Sequence, residues 1–362
     1  MRYPSIEILR TVAITFMVLV HFVENLSGVV GFIPTGFAAP IFTFLSGVSY
    51  RLWLNSQLAK GKSDNEISKV SIRRGLFLFG TGFLFNIFVW LPEDTFNWDI
   101  LTFIGFALMT LNVVRKMPLP AVVLANVMVM GISPLLRVYS SYAEYWTKGY
   151  FECDMSLTEV LLGFLVNGFF PIFPWIVYPV IGFSAASVLF PESRREAGTL
   201  RNLAIVGMVL MAASAVSIFS QTYAPTSVQT VYLKGWTMFP ASFEYVLGTL
   251  GFAMTGFLVL HTWLDKNPAF TRENIVGRIA STFSKHSFTV YLLHHVTHLW
   301  PLWIYGMLQS GDDPTIYWGK AMDLYTSLPL GIAFLLVCYF VLRWMDRKEI
   351  PGIESLMRWI CD

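Results

Sequence analysis

The chain has 362 residues and a formal net charge of +2; it is 55% hydrophobic and 16% aromatic but only 13% charged, with a mean hydropathy of +0.58. That balance excludes an ordinary soluble domain, and no nucleic-acid partner is expected. The apolar residues come in runs of about twenty, the length that crosses a bilayer. The expected fold class is therefore all-α: a polytopic membrane protein, one domain over 1–362, with about ten transmembrane helices around a polar chamber.

The apolar periodicity predicts spans at 6–26, 36–54, 74–91, 99–114, 119–138, 170–190, 202–220, 243–264, 284–307 and 325–345. The first run carries Glu7, Arg10 and His21 and is followed by no small-residue cleavage site, so it is expected to be retained rather than cleaved as a signal peptide. Basic residues alternate between connections. Lys60, Lys62, Lys69, Arg73 and Arg74 follow the second span, Arg115 and Lys116 the fourth, and Arg194, Arg195 and Arg201 the sixth. Lys266, Arg272 and Arg278 follow the eighth, and Arg343, Arg347, Lys348 and Arg358 the tenth. The opposite side holds Arg137, Lys148, Lys234 and Lys320, so both termini are expected in the cytoplasm. Two external segments break the pattern: 139–169, where Asn167 and then Pro171 and Pro174 predict a partial or re-entrant helix, and the loop 221–242. Cys153, Cys338 and Cys361 have neither redox nor metal-ligand spacing.

The first span holds the most informative residues. Arg10 and His21 have ten residues between them. At about 100° per residue they fall within roughly 20° of one another and about 16 Å apart along the axis. Glu7 and Glu24 lie near the same line, giving a polar stripe on an otherwise lipid-compatible helix. Titratable groups are costly in a bilayer and generally face protein or water. The deduced topology puts Arg10 toward the cytoplasm, where a guanidinium suits a phosphate, and His21 in the outer half. Arg10 could equally be structural, paired with Glu7, and His21 could be a buried histidine satisfied by a neighbouring helix.

In the ninth span Ser284, Ser287, Tyr291, His294, His295 and His298 share about one third of the circumference. His294 and His298 have the i, i+4 spacing of a metal-binding pair, but no cysteine or carboxylate pattern accompanies them, and no metal is expected. Hydrogen-bonded packing is the plainer alternative. Asp99, near Glu93 and Asp94, reads either as a carboxylate that orients an imidazole or as a helix N-terminal cap. Glu24 is the other candidate for orienting His21.

These residues carry a resemblance. Arg10 and His21 at this spacing resemble the acyltransferase-3 signature. Glu7-Ile-Leu-Arg10…His21, followed by Ala39-Pro-Ile-Phe-Thr-Phe-Leu-Ser46-Gly47, resembles the N-terminal part of the heparan-α-glucosaminide N-acetyltransferase catalytic-domain family and its prokaryotic relatives. Arg73-Arg-Gly-Leu-Phe-Leu-Phe-Gly80…Phe85-Asn86, Asp99-Ile-Leu…Ile104-Gly105, Phe170-Pro-Ile-Phe-Pro174-Trp175 and Ser287-Phe-Thr-Val-Tyr291-Leu-Leu-His294 extend the match from about residue 4 to 298. The resemblance implies a multi-pass enzyme of a prokaryotic cell membrane that moves an acetyl group from cytoplasmic acetyl-CoA to an extracytoplasmic saccharide or lipid-linked acceptor. Arg10, Arg73, Arg74 and Asn86 are the expected donor-binding residues, and His21, Glu24, Asp99, Tyr291, His294 and His295 the expected catalytic ones. Membrane lipids are expected partners, and a homodimer is an open alternative. One departure is visible. The heparan enzyme carries asparagine at the position of His21 and its essential histidine in the following loop, whereas 22–38 here holds no histidine. His21 itself is then the expected base. The alternative from another class is a proton-coupled transporter using His21, Glu24, His294, His295 and His298 as a relay.

Overall fold

The computed structural model describes residues 3–31, 35–147, 150–190, 197–265, 267, 270, 274–311 and 313–362. Lys148, Arg194, Arg195, Lys266 and Arg272 of the charge pattern lie outside the described residues. Among the described residues the fold is all-α apart from one pair of two-residue strands: β1 (Trp146–Thr147) runs antiparallel to β2 (Tyr150–Phe151). Among the described residues, eight segments are long and apolar enough to cross a membrane. The chain forms two compact units, Met1–Phe42 with Val259–Ile360, and Thr43–Leu258.

The first unit is built on α1 (Pro4–Ser27). Pro4 opens the helix, where its missing N–H costs nothing, and Gly28 closes it in the left-handed region (φ 67°), its N–H donating to the Glu24 carbonyl. A side chain at Gly28 would also meet the Gly319 carbonyl. The segment around Gly319 finishes the helix end: Gly319 N–H donates to the Asn25 carbonyl (2.8 Å) and Met322 N–H to that of Leu26 (3.1 Å). At the other end Asp265 accepts from Ser5 N–H (2.8 Å) and Ser5 Oγ (2.7 Å), and also contacts His261 Nδ1 (2.6 Å). Ile14, Val18, Phe22 and Leu26, four apart along α1, pack against Phe283, Val290, Cys338 and Leu342. Those partners lie on α12 (Ile275–Lys285), α13 (Ser287–Ser310) and α14 (Leu324–Arg347).

The expected ninth span, 284–307, is thus two helices broken at His286 (φ −108°, ψ 27°). The break has its own polar anchors. Lys285 and His286 Nε2 both meet Asp346 of α14. Glu354, on α15 (Ile353–Cys361), accepts from the first amides of α13, Phe288 N–H (2.7 Å) and Thr289 N–H (2.9 Å). A carboxylate there satisfies orphan donors and opposes the positive helix end.

The second unit contains the rest of α2 (Ala38–Ala59), then α3 (Asp64–Val89), α4 (Ile100–Val114), α5 (Leu119–Tyr139), α6 (Leu157–Leu162), α7 (Ile172–Trp175), α8 (Val177–Leu189), α9 (Ala197–Ser220), α10 (Thr226–Val231) and most of α11 (Phe243–Leu264). Gly47 of α2 abuts the Pro179 carbonyl, and Gly182 of α8 abuts that of Phe44. Small residues permit this backbone approach, which matters where lipid removes the hydrophobic drive for helix association. The expected break near 139–171 is present. After α6 a wide turn at Gly163–Asn167 precedes α7, and buried Asn167 exchanges hydrogen bonds with Ser140 (Oγ to Oδ1, 2.6 Å; Nδ2 to carbonyl, 3.2 Å). Of the ten expected spans, α2 and α13 are long enough but too polar to count among the eight. The first carries Arg51, Asn55 and Gln57, the second His294, His295 and His298.

Candidate functional site: an imidazole cluster

The polar stripe of α1 meets neighbours within its own unit. Arg10 Nη1 donates to Ser284 Oγ (3.0 Å) and to the Ser284 carbonyl (3.3 Å) near the C-terminus of α12, a favourable place for a cation. Glu24 accepts from Thr35 Oγ1 (2.8 Å). His21, between them, lies against α13. Its ring centroid is 4.5 Å from that of His295, 5.4 Å from His294 and 6.4 Å from His298. His294 and His295 are themselves 4.0 Å apart, and Tyr291 lies 5.7 Å and 5.5 Å from them. His294, His295 and His298 are at most 4% exposed.

Backbone carbonyls orient two of these rings. His294 Nδ1 lies 3.2 Å from the Val290 carbonyl and His298 Nδ1 2.6 Å from that of His294. A carbonyl only accepts, so each Nδ1 carries the proton and each Nε2 the lone pair. The His298 lone pair accepts from Asn25 Nδ2 (2.8 Å). His294 Nε2 is buried without a hydrogen-bond partner among the described residues. Two of the four rings are thus oriented by the backbone, and a ring nitrogen of His294 is left facing the cluster interior for proton transfer.

The other sequence candidates belong to the second unit. Asp99 caps α4, accepting from Leu101 N–H (2.8 Å), and Asn86 Nδ2 donates to the Thr95 carbonyl (3.2 Å). Arg74 stacks its guanidinium over Trp53, 5.1 Å from the ring centroid, while Arg73 is exposed. Of the acidic neighbours of Asp99, Asp94 is buried and accepts from Asn97 Nδ2 (2.8 Å) and from the Tyr150 hydroxyl, and Glu93 is exposed. Asn25 and Trp53 were not among the expected site residues. Asn25 had a signal, since it stands one helical turn beyond His21 on the same face. Trp53 had none, because its partner lies on another helix.

The family described as heparan-alpha-glucosaminide N-acetyltransferase, catalytic, matches residues 2–219. The chain belongs to this family. No curated protein matches it. The acetyltransferase family match includes α1, and with it Arg10 and His21, and ends before α13. The two sides of the imidazole cluster thus come from different parts of the chain, one inside the family match and one beyond it. Membership supports acetyl transfer at a membrane as the class of activity.

Proposed function

We propose that the protein transfers an acetyl group from cytoplasmic acetyl-CoA to a hydroxyl or amine of a saccharide or lipid-linked acceptor on the extracytoplasmic side, with His21 as the general base. The observation that carries this reading is the seating of His21, from the family-matched segment, among the imidazoles of α13.

In this scheme His21 takes the proton of the acceptor O–H or N–H, and the freed lone pair attacks the acetyl carbonyl carbon. The carbon–sulfur bond then breaks, the sulfur leaves with the proton that His21 holds, and the products are free CoA and an acetylated acceptor. Tyr291, beside His294 and His295, is the candidate donor to the carbonyl oxygen as charge develops there. A neutral base suits the task because an imidazolium would have no lone pair to offer. Arg74, held over Trp53, and Arg73 beside it are the candidate counter-charges for the donor's phosphates, with Arg10 as a further one.

The test is acetyl-CoA turnover by purified full-length protein in nanodiscs with a panel of saccharide and lipid-linked acceptors, following free CoA thiol. Acceptor-dependent thiol release that disappears in His21→Asn is the expected result. Thiol release unaffected by His21→Asn overturns the role of His21; none with any acceptor, alongside proton-coupled solute flux, favours the transporter.

A further inference from the structure

Sequence spacing offered only His294 and His298 as a metal-binding pair. The fold assembles a different set. His21, His294 and His295 each present a ring nitrogen, and these three atoms all lie within 4.8 Å of one another. His298 is committed elsewhere, with Nδ1 on a backbone carbonyl and Nε2 accepting from Asn25. We propose that His21, His294 and His295 bind one divalent transition-metal ion of the zinc class, and that the bound ion holds acetyl transfer off by occupying the His21 nitrogen needed for the acceptor proton.

The donor chemistry selects the ion. Three imidazoles with neither carboxylate nor thiolate favour Zn²⁺ and its neighbours over Mg²⁺ or Ca²⁺, which prefer oxygen. Three histidines are a known complement for zinc and leave a fourth position open. The orientation of His294 is already that of a ligand. Its Nδ1–H points to the Val290 carbonyl, which fixes the tautomer, and its Nε2 is buried without a hydrogen-bond partner among the described residues. A buried lone pair of this kind is uncommon and calls for an explanation. Zinc–nitrogen bonds of about 2.0–2.1 Å imply ligand nitrogens about 3.4 Å apart. Closing that difference takes side-chain rotation, and His21, the most exposed of the three, has the most room to turn.

The inhibitory half rests on His21 being the base; the binding half does not, and the experiment separates them. Chelator-stripped full-length protein in nanodiscs is equilibrated with Zn²⁺, and bound metal is counted by elemental mass spectrometry without acetyl-CoA. We expect one ion per chain, lost in His21→Asn, His294→Gln and His295→Gln and kept in the His261→Ala, His286→Ala double variant; Mg²⁺ should not be retained. Replacing Zn²⁺ by Co²⁺ in the wild type should give the visible absorption of nitrogen-ligated cobalt, a reading that needs no variant to fold. Zinc retained by all three single variants, or no zinc and no cobalt spectrum with the wild type, overturns the site. Where acetyl transfer is measurable, Zn²⁺ should suppress it at the occupancy seen in the binding assay, and full activity of zinc-loaded protein overturns the inhibitory role alone.

Discussion

Asn25 donates to His298 Nε2 at 2.8 Å, joining α1 to α13 one helical turn beyond His21. Both residues are buried, so the bond sets the spacing between His21 and the imidazoles it faces. Asn25→Leu strands the His298 lone pair in an apolar setting, at a cost of about 1–3 kcal/mol. The expected outcome is a lower unfolding temperature in nanodiscs together with slower acetyl transfer. His298→Leu in the same background should recover part of the stability, because removing both partners is less costly than removing one.

His21→Asn is expected to lower acetyl transfer by about 10²–10⁴, the usual contribution of a general base, while acetyl-CoA affinity stays within a factor of about two. Equilibrium binding and single-turnover rates measured on the same preparation check this. A fully active variant would pass the base role to His294 or His295.

Arg74→Ala is expected to weaken acetyl-CoA binding at least tenfold, since charge-assisted hydrogen bonds contribute about 1.5–3 kcal/mol each. Arg74→Lys should recover little, because an ammonium neither stacks as a guanidinium does over Trp53 nor forks onto a phosphate. Calorimetric titration of the two variants distinguishes this from a purely structural stack, which would move the unfolding temperature and leave the affinity unchanged.

Much of this architecture was legible in the sequence. The apolar runs gave α1, α5, α9, α11 and α14 closely, because a bilayer demands a length that hydropathy reports directly. The partners of the polar stripe were not legible. The i, i+11 spacing of Arg10 and His21 placed both on one face, but which helix that face meets is a tertiary fact, and Arg10 turned out to hold the end of α12. The break at His286 was hidden because neither glycine nor proline marks it within an apolar run. What ends the helix there is a pair of carboxylates, Asp346 and Glu354, from far along the chain. Asp99 showed the reverse, since the cap that local sequence allows is what it forms.

Cys153 lies in the connection before α6, whereas Cys338 and Cys361 are buried. The charge pattern predicts that this connection lies outside the cell, so a membrane-impermeant maleimide added to intact cells should label the wild type and fail on Cys153→Ser. Burial pushes the Cys153 thiol above its ordinary pKa. The reactive species is the thiolate, so labelling near neutral pH should be slower than for a free thiol and rise about tenfold per pH unit until the raised pKa is reached. Labelling only after permeabilisation would invert the topology.

Asp265→Ala removes the acceptor of Ser5 N–H, Ser5 Oγ and the His261 ring at once. The start of α1 then lacks its carboxylate, and a loss of about 1–3 kcal/mol is expected, read as faster amide exchange confined to the first turns of α1. Asp265→Asn should fall between the two, since its amide oxygen still accepts while the charge is gone.

Glu354 closes the first turn of α13 from 66 and 65 residues downstream. A nascent chain that has just emerged through α13 therefore carries the histidine helix with its leading amides still open, and only after α14 has threaded and α15 has been synthesised does the closing carboxylate arrive. Maturation of the imidazole cluster is thereby tied to the synthesis of α15. Ribosomes stalled between α14 and α15 should yield an inserted but protease-sensitive start of α13 that becomes resistant when elongation resumes.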